Sequence, residues 1–543
     1  MHNATRQKLQ RIVDALRIAE DRHDIPRQIA LYEELVQEKP DLPLGQAQLG
    51  VLYWDCGDQQ RASGHFEKAL TYPQNDHIDS LLFGRMAKSP LYTGDVDRAK
   101  AWYDAKPNFW RLRLYFENLN RAERFEDAEH LLLGLLAGAL PKDGQLLALH
   151  MMAQVYLYTG RTHDSVAACQ AGLELDPTCE PLMFNLAVAQ EMLGRYREAF
   201  HDYSRVLKLD PTNDETHNNL SHLMLRLGEF ESGWRHYEWR WGTALKDQHV
   251  DFPLPRWQGE ALAGRSLLVW REQGIGDQIM FSSMLPSLIQ RGGKLKYEVE
   301  TRLVPLLQRS FPDVELIQRS RVPVQENGRE VIKLGWPATD FQIPMGSLGL
   351  QLRPSLAHFP DQVSFLRADP QRSEQLRAEY QRLFPGKRLV GVSWRGGNSI
   401  GNQKQNRRIR MTELAALKDL PGIQLINLQY GDTARDREEA ASLDLHIHDD
   451  ASIDPLIDLD AQAAQIAALD LVISVDNTTV HLAGALGTPT VVLLQINPNW
   501  RWGLNEGPSY WYPSVHLIRN REVGQWSGAL ERAIQHLQTN GMV

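Results

Sequence analysis

Three glycines constrain this chain more than any other feature. Gly160, Gly194 and Gly228 are separated by 34 residues and then 34 again. They stand in related phrases, "YLYTGRTHDS", "EMLGRYREAF" and "LMLRLGEFESG", and Asp176-Pro177 and Asp210-Pro211 recur at the same interval. A period of this length marks stacked helical pairs, each burying its apolar face only against its neighbours. Glycine turns the chain between two antiparallel helices, small residues such as Ala187 and Ala199 let them approach, and Pro211 ends the pair. Weaker copies come earlier. One holds Leu49-Gly50, Gly57, Ala62 and Phe66, and another Ala87, Gly94, Ala99 and Tyr103. A third, with Tyr115, Glu123, Ala128 and Leu132, lacks the turn glycine.

Over roughly residues 9 to 242 this pattern resembles the tetratricopeptide-repeat (TPR) family. The expected first region is an α-solenoid over 1–242. The resemblance implies a concave face that holds a protein partner; the period alone would equally serve a scaffold or a dimerisation module. The cluster "GWRHYEWRW", Gly233 to Trp241, ends the array, and its apolar spacing predicts a capping helix packed on the next domain.

Bulk properties narrow the function. The chain has 543 residues, enough for several domains. Its net charge of −9 argues against a nucleic-acid partner. Cys56, Cys169 and Cys179 show no metal-ligand spacing and fit a reducing compartment. The charged N-terminus is not a secretory signal, and no run of about 18 apolar residues spans a membrane. The expected location is cytoplasmic.

After a Pro/Gly-rich linker, 243–263, the rhythm becomes short apolar strands alternating with helices. Expected strands are 266–270, 295–300, 314–318, 341–345, 389–394, 423–429, 471–475 and 490–494, with helices such as 373–383 and 461–469 between them. Such alternation predicts parallel sheets covered on both faces, in two blocks, 264–385 and 386–543, joined near "FPGKR". The fold class is therefore α + α/β, a solenoid followed by two Rossmann-like doubly wound domains facing a cleft. Such a pair suits a nucleotide-sugar glycosyltransferase and also a two-domain dehydrogenase.

Two loops carry the chemistry. "LLVWREQGIGDQIMF", Leu267 to Phe281, begins like a dinucleotide-binding turn, but the third glycine of G-x-G-x-x-G is Ile279 and no GK[ST] follows. Gly274 and Gly276 remain as turn residues ahead of Asp277 at a helix start, where the bland reading is a helix cap. "LVISVDNTTVHLAGALGTPTVVLL", Leu471 to Leu494, reads strand, loop, helix, turn, strand. Asp476 ends the strand, and Asn477, Thr478 and Thr479 lie at a helix N-terminus that favours an anion. His481 follows in the first turn, where a satisfied interior histidine is the ordinary reading.

Together these stretches resemble the heptosyltransferase-like glycosyltransferases, over about 264 to 525. The matching residues are Gly276-Asp277 and then Asp476, Thr478, His481, Leu482 and Ala483, with Asn477 and Thr479 where that family more often has Thr and Gly. Fusion to a repeat array looks like bacterial TPR glycosyltransferases, some of which modify flagellin. The resemblance implies a GT-B fold, with the first Rossmann-like domain on the acceptor side and the second on the nucleotide-sugar side. It implies Asp277 as base, and Asp476, Asn477, Thr478, Thr479 and His481 around the donor. It also implies a basic residue from "SWRGGNSIGNQKQNRRIRM", Ser393 to Met411, on the donor phosphates. Arg395, Lys404 and Arg408 are the expected choices, guanidinium being suited to bidentate phosphate contact. No metal motif stands in a convincing place, so inverting transfer without metal or cofactor is expected, the nucleotide-sugar being a substrate. The expected partner is a protein acceptor on the repeats' concave face, such as flagellin. A scaffold with a degenerate transferase half, and a transferase building a surface or lipid-linked glycan, are the competing readings.

Overall fold

In the computed structural model, the repeat glycines sit where the period needs them. The structure describes residues 2–21, 24–72, 76–86, 92, 94–243, 245–250, 252–326, 329–396, 407–522 and 524–543. It forms two compact units, residues 1–159 and 160–543.

The first unit is entirely helical among its described residues. Pro43–Asp55 packs on Gln59–Leu70, Val96–Ala105 on Phe109–Arg121, and Phe125–Leu136 on Lys142–Tyr158. Gly50 makes one such approach possible, since a Cβ there would lie 2.6 Å from the Phe66 ring. Gly57 and Gly94 turn the chain with φ of +84° and +122°. Glu123 takes the same left-handed turn, at φ +54°, although it carries a side chain. The turn is thus imposed by the packing of the helices around it, at a local cost of about 1–2 kcal/mol. Ala87 of the second early repeat lies outside the described residues.

The second unit begins with helical pairs from Thr162 to Tyr237, turned at Gly194 and Gly228 with φ of +73° and +86°. The last helix, Phe230–Tyr237, is the cap expected from "GWRHYEWRW". Trp234 and Tyr237 are buried in one core with the first sheet. Trp234 Nε1 donates to the Arg353 carbonyl at 2.9 Å, and a Cβ on Gly349 would come 2.5 Å from its ring.

Thirteen strands follow among the described residues. They are β1 (Ser266–Trp270), β2 (Lys294–Glu298), β3 (Glu315–Ile317), β4 (Ser320–Glu326), β5 (Arg329–Gly335), β6 (Phe341–Pro344) and β7 (Arg388–Ser393). Next come β8 (Ile423–Asn427), β9 (Ile447–His448), β10 (Leu471–Val475), β11 (Thr490–Leu494), β12 (Gly507–Pro508) and β13 (Val515–Arg519). The first sheet is parallel, in order β3-β2-β1-β6. The second runs β12-β13-β11-β10-β7-β8-β9 and is parallel except for β12. Its six parallel strands thus have the order 3-2-1-4-5-6, whose direction reverses between β7 and β10; ligands of such sheets bind outside the carboxyl ends of the strands at that point. Both β10 and β11 are buried at every residue, as strands covered on two faces must be.

Every strand expected from sequence is present, with ends moved by up to two residues. The β4–β5 hairpin, β9, β12 and β13 were not anticipated. The helix Pro370–Leu383, read as lying before the junction, packs on Leu459–Ala467 beside the second sheet. Gln465 Nε2 donates to the Tyr380 hydroxyl at 3.0 Å, and Arg377 meets Asp470 at 2.7 Å. No helix of the described residues is long and apolar enough to cross a membrane.

Candidate active site

The loop after β1 is held at both ends. Glu272 is fully buried, and its two carboxylate oxygens accept from Arg240 Nε at 2.7 Å and NH2 at 2.8 Å. The Gly346 amide adds a third bond at 2.7 Å. Gln273, not a glycine, makes the turn, with φ +61°; its amide donates to Gln248 Oε1 at 2.7 Å and its side chain to the Tyr237 hydroxyl. The sequence assigned this turn to Gly274 and Gly276, and neither has a positive φ. Gly274 is the extended N-cap of Ile275–Ser282. Gly276 is small for a different reason: a Cβ there would stand 3.0 Å from Cδ2 of His481.

That contact joins the two loops. The helices Ile275–Ser282 and Thr478–Leu486 pack together near their N-terminal ends, which brings Gly276-Asp277 to His481. His481 is buried, stacks on Trp502 at 5.2 Å between centroids, and shares a 2.9 Å hydrogen bond between Nδ1 and the Tyr512 hydroxyl. Burial, aided by the nearby Arg501 charge, pushes the His481 imidazolium down to about 3, so the ring is neutral at ordinary pH. Asp277 Oδ2 accepts from the Gly274 amide at 3.2 Å, and Oδ1 accepts from Arg501 NH2.

The donor-side residues divide. Asp476 is partly exposed at the end of β10. Thr478 is half-buried at the first helical position. Asn477 is buried and caps its own helix: Oδ1 accepts from the Thr479 and Val480 amides at 3.0 and 3.4 Å. Its Nδ2 donates to Ser393 Oγ at 2.7 Å and to the Arg395 carbonyl at 3.0 Å. Two amides that the sequence offered to an anion are therefore satisfied internally. Thr479 is fully buried, with its hydroxyl directed to the Leu428 carbonyl at 3.4 Å.

The basic segment is rearranged most. Arg395 and Arg408 form a β-bridge and both bind the buried Asp436, each at 2.6 Å, while the Arg408 side chain stays 45% exposed. Lys404 lies outside the described residues. Arg407 instead reaches the Asp476 carbonyl at 3.0 Å, and its buried Nε has no partner.

Arg407 and Asp476 line a cavity of about 400 Å³. Its other walls include His222 and Arg226 from the helical repeats, and residues 495–499, Asn520, Glu522 and Gly524 beyond the carboxyl ends of β11 and β13. Arg226 ties these parts together, with Nε to the Pro498 carbonyl at 3.0 Å and NH1 to Glu191 at 2.6 Å. Sequence reasoning missed Arg501, Arg226 and His222. The signal for Arg501 was "NWRWG", a lone charge between two tryptophans that are both buried in the fold. Trp500, Trp502, Trp511 and Tyr512 are all buried core residues.

The family model described as glycosyltransferase family 9 (heptosyltransferase) matches residues 405–518, and two tetratricopeptide-repeat models match 146–179 and 181–213. Protein FlbA of Caulobacter vibrioides is 31% identical over 434 residues, covering 78% of this chain and 72% of that protein. Two solved structures are similar over 51% of this chain. The glycosyltransferase family 9 protein of Veillonella parvula has 13% identity, 91% of its chain covered and a TM-score of 0.34. The ADP-heptose lps heptosyltransferase II of E. coli has 12% identity, 99% of its chain covered and a TM-score of 0.33. The chain belongs to the family it shares with Protein FlbA, and it joins tetratricopeptide repeats to a glycosyltransferase family 9 domain. It is a glycosyltransferase.

Proposed function

We propose that the enzyme moves a sugar from a nucleotide-sugar to a hydroxyl of a protein selected by the repeats, Ser or Thr of a flagellin being the first acceptor to test. Asp277 takes the acceptor proton while the acceptor oxygen attacks the anomeric carbon opposite the leaving phosphate, giving inversion. The donor lies at the reversal point between β7 and β10, against Asp476, Thr478 and the helix that carries His481. Arginine side chains supply the positive charge the phosphate needs, so transfer proceeds without a metal and survives EDTA. The reaction takes place in the cytoplasm, where nucleotide-sugars are made. The observation that carries this reading is the packing of Gly276 on His481, which sets the candidate base beside the donor segment. His222 and Arg226 extend the repeats to the cavity that Asp476 lines, which supports a macromolecular acceptor.

The test uses Asp277→Asn. The variant should unfold at nearly the wild-type temperature and lose transfer by about 10²-fold or more, the scale of a general base. Transfer at the wild-type rate would remove Asp277 from the mechanism. A thermal-shift panel of ADP-, UDP-, GDP- and CMP-sugars identifies the donor, since a ligand at 100 times its Kd adds about 2.7 kcal/mol of stability.

A further inference from the structure

Arg501 is the least satisfied cation beside the candidate base. Its residue is only 8% exposed, so its charge is held out of water. Yet one nitrogen, NH2, binds Asp277, while the buried Nε has no hydrogen-bond partner. The short Trp500–Trp502 helix holds the guanidinium carbon 5.1 Å from the Trp500 ring centroid. It lies within electrostatic reach of His222 on the cavity wall, whose imidazolium is pushed down by burial, Arg226 and Arg501 together. Asp277, for its part, has a partner on each oxygen, Arg501 on Oδ1 and the Gly274 amide on Oδ2. In this state the candidate base is occupied.

We propose that Arg501 is a further catalytic residue that changes partner during the reaction, leaving Asp277 for the donor phosphate. The inference rests on the assignment of Asp277 as base. A phosphate group offers several anionic oxygens, and a guanidinium binds two of them with parallel N–H groups, using the Nε edge that is now unpartnered. Donor binding thereby frees Oδ1 of Asp277. The acceptor hydroxyl then gives its proton to Asp277, and its oxygen bonds to the anomeric carbon. The bond from that carbon to the phosphate oxygen breaks with its electron pair left on the phosphate. Arg501 meets the charge that develops there. The enzyme takes its donor first, and its base is exposed only once a phosphate is in place.

Calorimetry with inorganic pyrophosphate on the full-length protein tests the exchange, since carboxylate and phosphate compete for one guanidinium. Asp277→Asn should bind pyrophosphate about tenfold more tightly than wild type, and Arg501→Gln about tenfold more weakly, the scale of one charge-assisted hydrogen bond. On an Arg501→Gln background the gain from Asp277→Asn should vanish. A gain that persists there would show simple repulsion by Asp277 and overturn the exchange. So would no gain in the single variant, or no pyrophosphate binding to any variant. Arg501→Lys keeps the charge but not the two-point contact, and should fall between wild type and Arg501→Gln even if the glutamine variant folds poorly. Sugar transfer by Asp277→Asn is measured separately: full activity sinks the base assignment, while the binding cycle decides the exchange.

Discussion

Two arginine–carboxylate pairs flank the same seven residues, "EQGIGDQ" from Glu272 to Gln278, and they differ in every respect that matters. In the Arg240–Glu272 pair both side chains are wholly buried. Arg240 also donates to the Tyr237 carbonyl and to Ser347 Oγ, each at 2.9 Å, so both partners are saturated. Arg501–Asp277 is a single contact with a vacant guanidinium edge and a carboxylate still partly open to water. A buried charge that is fully bonded can only be disrupted at great cost, whereas one left partly bonded is available to a ligand. The first pair fastens the loop to the end of the repeats; the second points the loop at the chemistry.

The comparison can be broken most forcefully at Glu272. Glu272→Ala strands Arg240 in the core and should cost about 3–5 kcal/mol in denaturant unfolding. Asp277→Asn keeps an acceptor oxygen, and its cost should stay near 1 kcal/mol. Equal losses at the two sites would erase the distinction. The glycines between the pairs come next. Gly276→Ala pushes a methyl toward His481 and should cost about 1–3 kcal/mol by overpacking. Gly274→Ala meets only an ordinary 3.5 Å contact with Asp277 Oδ2 and should change stability by roughly 0.5 kcal/mol, the loss of a glycine cap for a poorer one.

The last effect is read with pH. The folded state holds His481 down at about 3, below its ordinary 6.5. The unfolded chain therefore binds this proton first, so the stability tied to a neutral His481 is complete above pH 6.5 and is lost as pH falls toward 3. At pH 5.5 its share of the loss is about 1.4 kcal/mol. His481→Gln should remove that share from the melting curves between pH 7 and 5. An unchanged slope would mean that His481 takes up its proton in the folded state as readily as in the unfolded one.

Much of the molecule was legible because it depends on local rules. The 34-residue period, the apolar runs of β1, β10 and β11, and the cap at Trp234 each need only the chain's own pattern to be read. Glu123 marks where pattern and geometry part: the glycine is missing, yet the left-handed turn is made, because neighbouring helices fix both sides of it. The β4–β5 hairpin did have a signal that went unread, the Asn327-Gly328 dipeptide between two valine-bearing runs. The basic segment misled for a different reason. Five cations in one loop look like a phosphate site, but Asp436, buried 28 residues beyond Arg408, claims two of them.

By itself the sequence determined the order of the parts: repeats, then strand–helix units, with an Asp at one helix start and a histidine segment at another. Those features are written in nearest-neighbour spacing, which survives without any fold. Only the tertiary structure decided which charges are satisfied. That outcome depends on partners far along the chain, Arg501 lying 224 residues from Asp277 and Arg226 lying 272 from Pro498. A hydrogen bond is worth little in water and much in a buried site. The fold therefore joins Arg395 and Arg408 to Asp436, leaves Nε of Arg501 without a partner, and makes Gly276 a matter of room for His481 rather than of turning the chain.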